Sequence, residues 1–123
     1  MPKALLVSTD LIFTSRIRSA ATNAGWEMQI AKSIGDSIDD DTEFVIVDLS
    51  TSKDEPSNIA ETARRDSPGV KLIAFGPHVQ TGKLTAAEEA GFDSVMTRGQ
   101  FDRALHSQLP TSRRHVAWRA VGS

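Results

Sequence analysis

Short apolar runs recur along the chain, and stretches with helical periodicity lie between them. Ala4–Val7, Phe44–Val47, Val70–Phe75 and Ser94–Met96 are each bounded by turn residues or helix-start chemistry, and with the more mixed Trp26–Ala31 they predict five strands. After the first strand, Phe13, Ile17, Ala20, Ala21 and Ala24 fall on one helical face, Arg16 and Arg18 lie off it, and Gly25 supplies the stop. A second helix, short or irregular, is expected over Ser33–Asp41, where Ile34 and Ile38 have the right spacing but Gly35 and three successive aspartates intrude. Asp54-Glu55-Pro56 opens a third helix, which ends near Ser67-Pro68-Gly69. A fourth spans Thr81 to Ala90 and stops at Gly91, and a fifth carries Phe101, Leu105 and Leu109 on one face before Pro110.

Strand and helix alternating five times implies right-handed crossovers and a parallel sheet with helices on both faces. The expected class is α/β, a doubly wound (βα)5 sandwich with strand order 2-1-3-4-5. Any ligand site then lies beyond the carboxyl ends of the strands, near the switch point between the first and third. That places Ser8, Thr9, Asp10, Asp48, Leu49, Gly76, Pro77, His78, Thr97, Arg98 and Gly99 around one crevice.

At 123 residues the chain is sized for one domain. Its 14 basic and 16 acidic side chains give a net charge of −2, which argues against a nucleic-acid coat protein because the long-range attraction to phosphate is missing. The charge is polarised: residues 1–62 carry 5 basic and 11 acidic side chains, residues 63–123 carry 9 and 5. Without cysteine there is no disulfide framework, thiol nucleophile or cysteine zinc site. Four apolar residues near the start are too few for a signal-peptide core, and no run reaches membrane-spanning length, so a cytoplasmic protein without a membrane contact is expected.

Two strings at the strand ends carry a resemblance. Phe44-Val45-Ile46-Val47-Asp48-Leu49 resembles the third strand of response-regulator receiver domains, whose terminal aspartate accepts a phosphoryl group. Ala90-Gly91-Phe92-Asp93-Ser94-Val95-Met96-Thr97-Arg98 resembles the family's Ala-Gly-Ala-Asp stretch leading to its lysine. The likeness covers residues 3–109, so the chain divides into a receiver-like domain, 1–109, and a basic tail, 110–123, and it implies the flavodoxin-like, CheY-like version of the sandwich.

Residue by residue, the chemistry departs from that family. Where it ends its first strand with two acids that hold magnesium, this chain has Ser8 and Thr9, and a hard cation competing with water prefers carboxylates to neutral hydroxyls. Asp10 follows, but one step along the chain redirects its side chain. The family's lysine becomes Arg98, the proline after it Gly99, the hydroxyl residue ending the fourth strand Gly76, and the aromatic switch residue Val95. The expectation is a degenerate receiver: Asp48 occupies the phosphoacceptor position without accepting a phosphoryl group, and it pairs with Arg98. No catalytic residue, metal or cofactor is assigned, and magnesium enters only if Asp48 is phosphorylated.

Other chemistries find less support. Ser8, Asp48 and His78 can be drawn as a hydrolytic triad, but no strained Gly-x-Ser-x-Gly elbow presents Ser8. His106 and His115 have no paired metal-ligand spacing. The Ser8-Thr9 and Thr14-Ser15 hydroxyls allow a flavodoxin-like small-ligand site as an alternative, and phosphorylation of Asp48 by a histidine kinase or a small phosphodonor is another. The function expected is signalling by protein–protein interaction. By resemblance, the fourth helix, fifth strand and fifth helix supply the contact face, with Lys83, Leu84, Ala87, Val95, Arg103 and Ala104, for a protein partner that can be a second copy of the chain. Trp118, among Arg113, Arg114 and Arg119 in the tail, extends that face with residue types common at binding hot spots.

Overall fold

A computed structural model describes residues 2–107 of the chain. In chain order the elements are β1 (Lys3–Val7), α1 (Leu11–Asn23), β2 (Glu27–Ala31), β3 (Phe44–Asp48), α2 (Pro56–Asp66), β4 (Lys71–Gly76), α3 (Thr81–Glu89), β5 (Ser94–Thr97) and α4 (Arg98–Ser107). The five strands form one parallel sheet in the order β2-β1-β3-β4-β5, as the alternation of apolar runs and helical segments requires.

The central strands are apolar between their ends because both their faces are covered. Every residue of β3 is buried. On one face Phe13 and Ile17 of α1 and Phe101 of α4 pack with Leu6, Ile46 and Phe75, and the Phe75 and Phe101 rings stack at 4.4 Å. On the other face Ile59 and Ala63 of α2 and Ala87 of α3 pack with Val45, Val47, Leu72 and Ala74. Among the described residues no helix is long and apolar enough to cross a membrane.

One predicted element is missing: residues 32–43 contain no helix. Gly35 stands at φ +72°, a left-handed conformation that breaks any helical path at its middle. Side chains from neighbouring elements satisfy the segment instead. The Ile34 N–H donates to Asp54 (3.1 Å) and the Ile38 N–H to Asp66 (2.9 Å), Arg65 reaches the Asp36 carbonyl, and Lys3 bridges Asp39 and Asp41. Ile34 and Ile38 still turn inward against the α2 side of the core, so the spacing read from the sequence is a burial pattern without a helix.

Candidate functional site

Sheet register builds the crevice. Val7 pairs with Val47 and Asp48 with Phe75, so Ser8, one step past β1, stands level with Asp48 at the end of β3. The Ser8 hydroxyl donates to Asp48 Oδ2 at 2.8 Å. The other carboxylate oxygen accepts from the Ser50 N–H (3.1 Å) and the Ser50 hydroxyl (2.7 Å). Asp48 is only 1% exposed, and a charge buried so far needs this many donors. Behind it the chain turns tightly, the N–H groups of Thr51 and Ser52 donating to the Asp48 carbonyl.

The expected pair between Asp48 and Arg98 is not formed. Thr97 sits opposite Gly76, one level above Asp48, and there β5 passes into α4 without a loop. The Thr97 hydroxyl accepts from the Gln100 N–H (3.2 Å) while the Gln100 amide oxygen accepts from the Thr97 N–H (2.8 Å), a reciprocal box that starts the helix at Arg98. Arg98 therefore springs from the first turn of α4 toward α1. There it ion-pairs with Asp10 and lies over the Phe13 ring at 4.4 Å. Asp10 caps α1 by accepting from the Phe13 N–H (3.0 Å), and that bond, then the Arg98 guanidinium, holds its carboxyl below the usual range. It has turned away from the crevice, as the one-step offset along the chain suggested.

The remaining predicted residues scatter. Thr9 is exposed, and its backbone N–H donates to the Thr51 hydroxyl. His78 is exposed in the turn after Pro77 and does not complete a triad, because the Ser8 hydroxyl donates directly to Asp48 with no imidazole between them. Gly76 is buried; a side chain there would meet Leu49 at 3.4 Å and Leu84 at 3.7 Å. The Thr14 hydroxyl bonds back to the Leu11 carbonyl inside α1, so it is not presented to a phosphate. Among the described residues no three His, Asp or Glu side chains converge on one point.

The expected contact face also needs correction. Ala87 and Ala104 are buried and belong to the core, and Lys83 bends to the Leu49 carbonyl at 3.2 Å, toward the crevice side of α3. Leu84 and Val95 are half-buried, and Arg103 is exposed. Trp118 and the rest of 110–123 lie outside the described residues. Sequence reasoning missed Ser50 and Gln100. Their signals were present in Asp48-Leu49-Ser50, where a hydroxyl two residues on can cap a carboxylate, and in Thr97-Arg98-Gly99-Gln100, a capping-box spacing.

No protein-family model matches the chain, and no curated protein matches its sequence. Solved structures do. A CheY-like response regulator receiver domain protein from Methanospirillum hungatei JF-1 is 17% identical, with 88% of this chain and 96% of that one covered at a TM-score of 0.66. An orphan response regulator of H. pylori is 13% identical over 86% and 88% of the two chains, with a TM-score of 0.66. A response regulator from Burkholderia pseudomallei, solved with a phosphorylated aspartic acid, a calcium ion and citrate, is 14% identical over 95% and 71%, with a TM-score of 0.69.

Proposed function

We propose that this chain, which has the fold of response-regulator receiver domains, is an atypical receiver-like signalling module that acts by protein–protein recognition and carries no phosphoryl group on Asp48. The observation that carries this reading is the state of the Asp48 carboxylate, both of whose oxygens are engaged by the hydroxyls and amide of Ser8 and Ser50. Attack on phosphorus needs one of those oxygens free and a cation to neutralise the charge developing on the transferred group. The crevice supplies hydroxyls where that cation needs carboxylates, and Asp10, which follows Ser8 and Thr9 in the chain, is spent on a helix cap and on Arg98. On this reading the module is not an enzyme, needs no metal or cofactor, and works in the cytoplasm through a protein partner.

The test is intact-mass spectrometry of the full chain after incubation with acetyl phosphate and magnesium. No gain of a phosphoryl group is expected. A stoichiometric adduct that disappears in Asp48→Asn would overturn the reading and restore Asp48 as a working phosphoacceptor.

A further inference from the structure

β2 stands at the end of the sheet and pairs with β1 alone; among the described residues no strand lies beyond it. The Glu27 N–H donates to the Pro2 carbonyl, and the Ala31 carbonyl accepts from the Ser8 N–H, so at Glu27, Gln29 and Ala31 the backbone faces β1. The N–H and C=O groups of Met28 and Ile30 therefore face outward, an open row of donors and acceptors. The half-buried side chains of Met28 and Ile30 pack against the α1 side of the core, while Glu27 and Gln29 are exposed on the opposite sheet face.

The path of the chain after α4 selects this edge. α4 starts directly after β5 and returns along the sheet face that α1 covers, so Ser107 comes out at the amino ends of the strands. A strand starting from there runs parallel to the other five, and its crossover has to be right-handed. On this face α1 carries the chain from β1 toward the β2 side, whereas α2 and α3, on the other face, carry it toward β5. A crossover through α4 therefore leads back toward β2, and every position on the way is filled until the edge beyond β2. The outer edge of β5 needs the left-handed connection. From β4, on which α4 packs through Phe101 and Phe75, the shift to the β2 edge is four strand spacings, about 19 Å, and residues 108–115 in extended form reach about 26 Å.

The sequence beyond the described residues matches the edge. In His115-Val116-Ala117-Trp118-Arg119-Ala120 the apolar Val116, Trp118 and Ala120 alternate with His115 and Arg119, the pattern of a strand with one apolar face. With Val116 level with Met28 and Trp118 with Ile30, the apolar side chains extend the strip on the α1 face, and His115 and Arg119 fall on the face of Glu27. Arg113 and Arg114 then pass the amino end of β1, where Lys3 bridges Asp39 and Asp41 and leaves those carboxylates 61% and 69% exposed. We propose that residues 115–120 add to the outer edge of β2 as a sixth parallel strand. Trp118 then lies at the sheet edge remote from β5, away from the contact face expected from the sequence, and this holds whether or not Asp48 accepts a phosphoryl group.

Residue-resolved amide hydrogen exchange of the full chain, followed by NMR, should show Met28 and Ile30 protected. In this register the Met28 carbonyl accepts from the Ala117 N–H. Ala117→Pro deletes that donor and should speed exchange at Met28 and Ile30 by about tenfold or more, with the amides of β1 and β3 unchanged. Trp118→Ser keeps the backbone donor and removes the apolar contact, so it should speed the same two amides by a smaller factor. A nitroxide on Lys32→Cys, exposed just past the end of β2 in a chain with no other cysteine, should broaden the amides of residues 115–120 in its own molecule and not in an unlabelled copy mixed with it. Fast exchange at Met28 and Ile30 in the native chain, protection that survives both Ala117→Pro and Trp118→Ser, or broadening that is absent or appears only between mixed copies, which makes the occupant a second chain, each overturns the proposal.

Discussion

Asparagine at position 48 keeps the shape of the buried side chain and removes its charge, so it separates what Ser8 contributes from what Arg98 does. The amide oxygen can go on accepting from the Ser50 N–H and hydroxyl, but the amide nitrogen now faces Ser8, whose hydroxyl must turn to Thr51, 3.5 Å away. One charge-assisted bond becomes a neutral one, at a cost of about 1–2 kcal/mol. Ser8→Ala removes the donor to Asp48 and also the acceptor of the Asp10 N–H, at about 2–3 kcal/mol. Because the two changes delete the same bond, the double variant should fall short of their sum by about 1 kcal/mol or more. Asp48→Asn with Arg98→Met should instead add to within about 0.5 kcal/mol, since Arg98 is committed to Asp10 and to the Phe13 ring. Urea denaturation followed by circular dichroism measures both cycles. Additivity between Ser8 and Asp48, or coupling above about 1 kcal/mol between Arg98 and Asp48, would refute the assignment of partners.

Thr97→Val and Gln100→Ala each break the box that starts α4; each should cost about 1 kcal/mol by urea melts, and the double variant little more than either alone. The Asp10 carboxyl is held below its usual value of 3.8, so its contribution to stability is complete above that pH and lost as pH falls through the lower folded value. Stability against pH should therefore fall more steeply below about pH 4 in the native chain than in Asp10→Asn, and parallel acid limbs would count against the Asp10–Arg98 pair. Gly76→Ala meets its neighbours only at 3.4–3.7 Å and needs no left-handed backbone, so thermal melting should move little or upward, by about 0.4–1 kcal/mol of gain at most.

The architecture was legible because burial dictates it. A strand such as Phe44–Asp48, covered on both faces, has no polar position to interrupt its apolar run, and α2 announces itself with Pro56 at its first turn. The segment 32–43 misled for a related reason. Ile34 and Ile38 are spaced as on a helix because they anchor one loop at two points of the core, and spacing alone does not distinguish an anchored loop from a helical face. What replaces the helical hydrogen bonds there are Asp54 and Asp66, twenty and twenty-eight residues away in sequence, which no local pattern reveals.

The crevice was legible in position and wrong in pairing, and the two outcomes have one origin. Parallel register brings the ends of β1, β3, β4 and β5 together, so the level of Ser8 beside Asp48 follows from the strand order. The direction of Arg98 depends instead on where α4 begins, and that is set by two hydrogen bonds between Thr97 and Gln100. A loop after β5 would leave the cation free to turn inward; a helix starting at Arg98 aims it at α1. The partners of Asp48 thus depend on a helix cap on another strand, which turns Arg98 away to brace α1 against α4 and leaves Ser8 and Ser50 as the donors to the carboxylate.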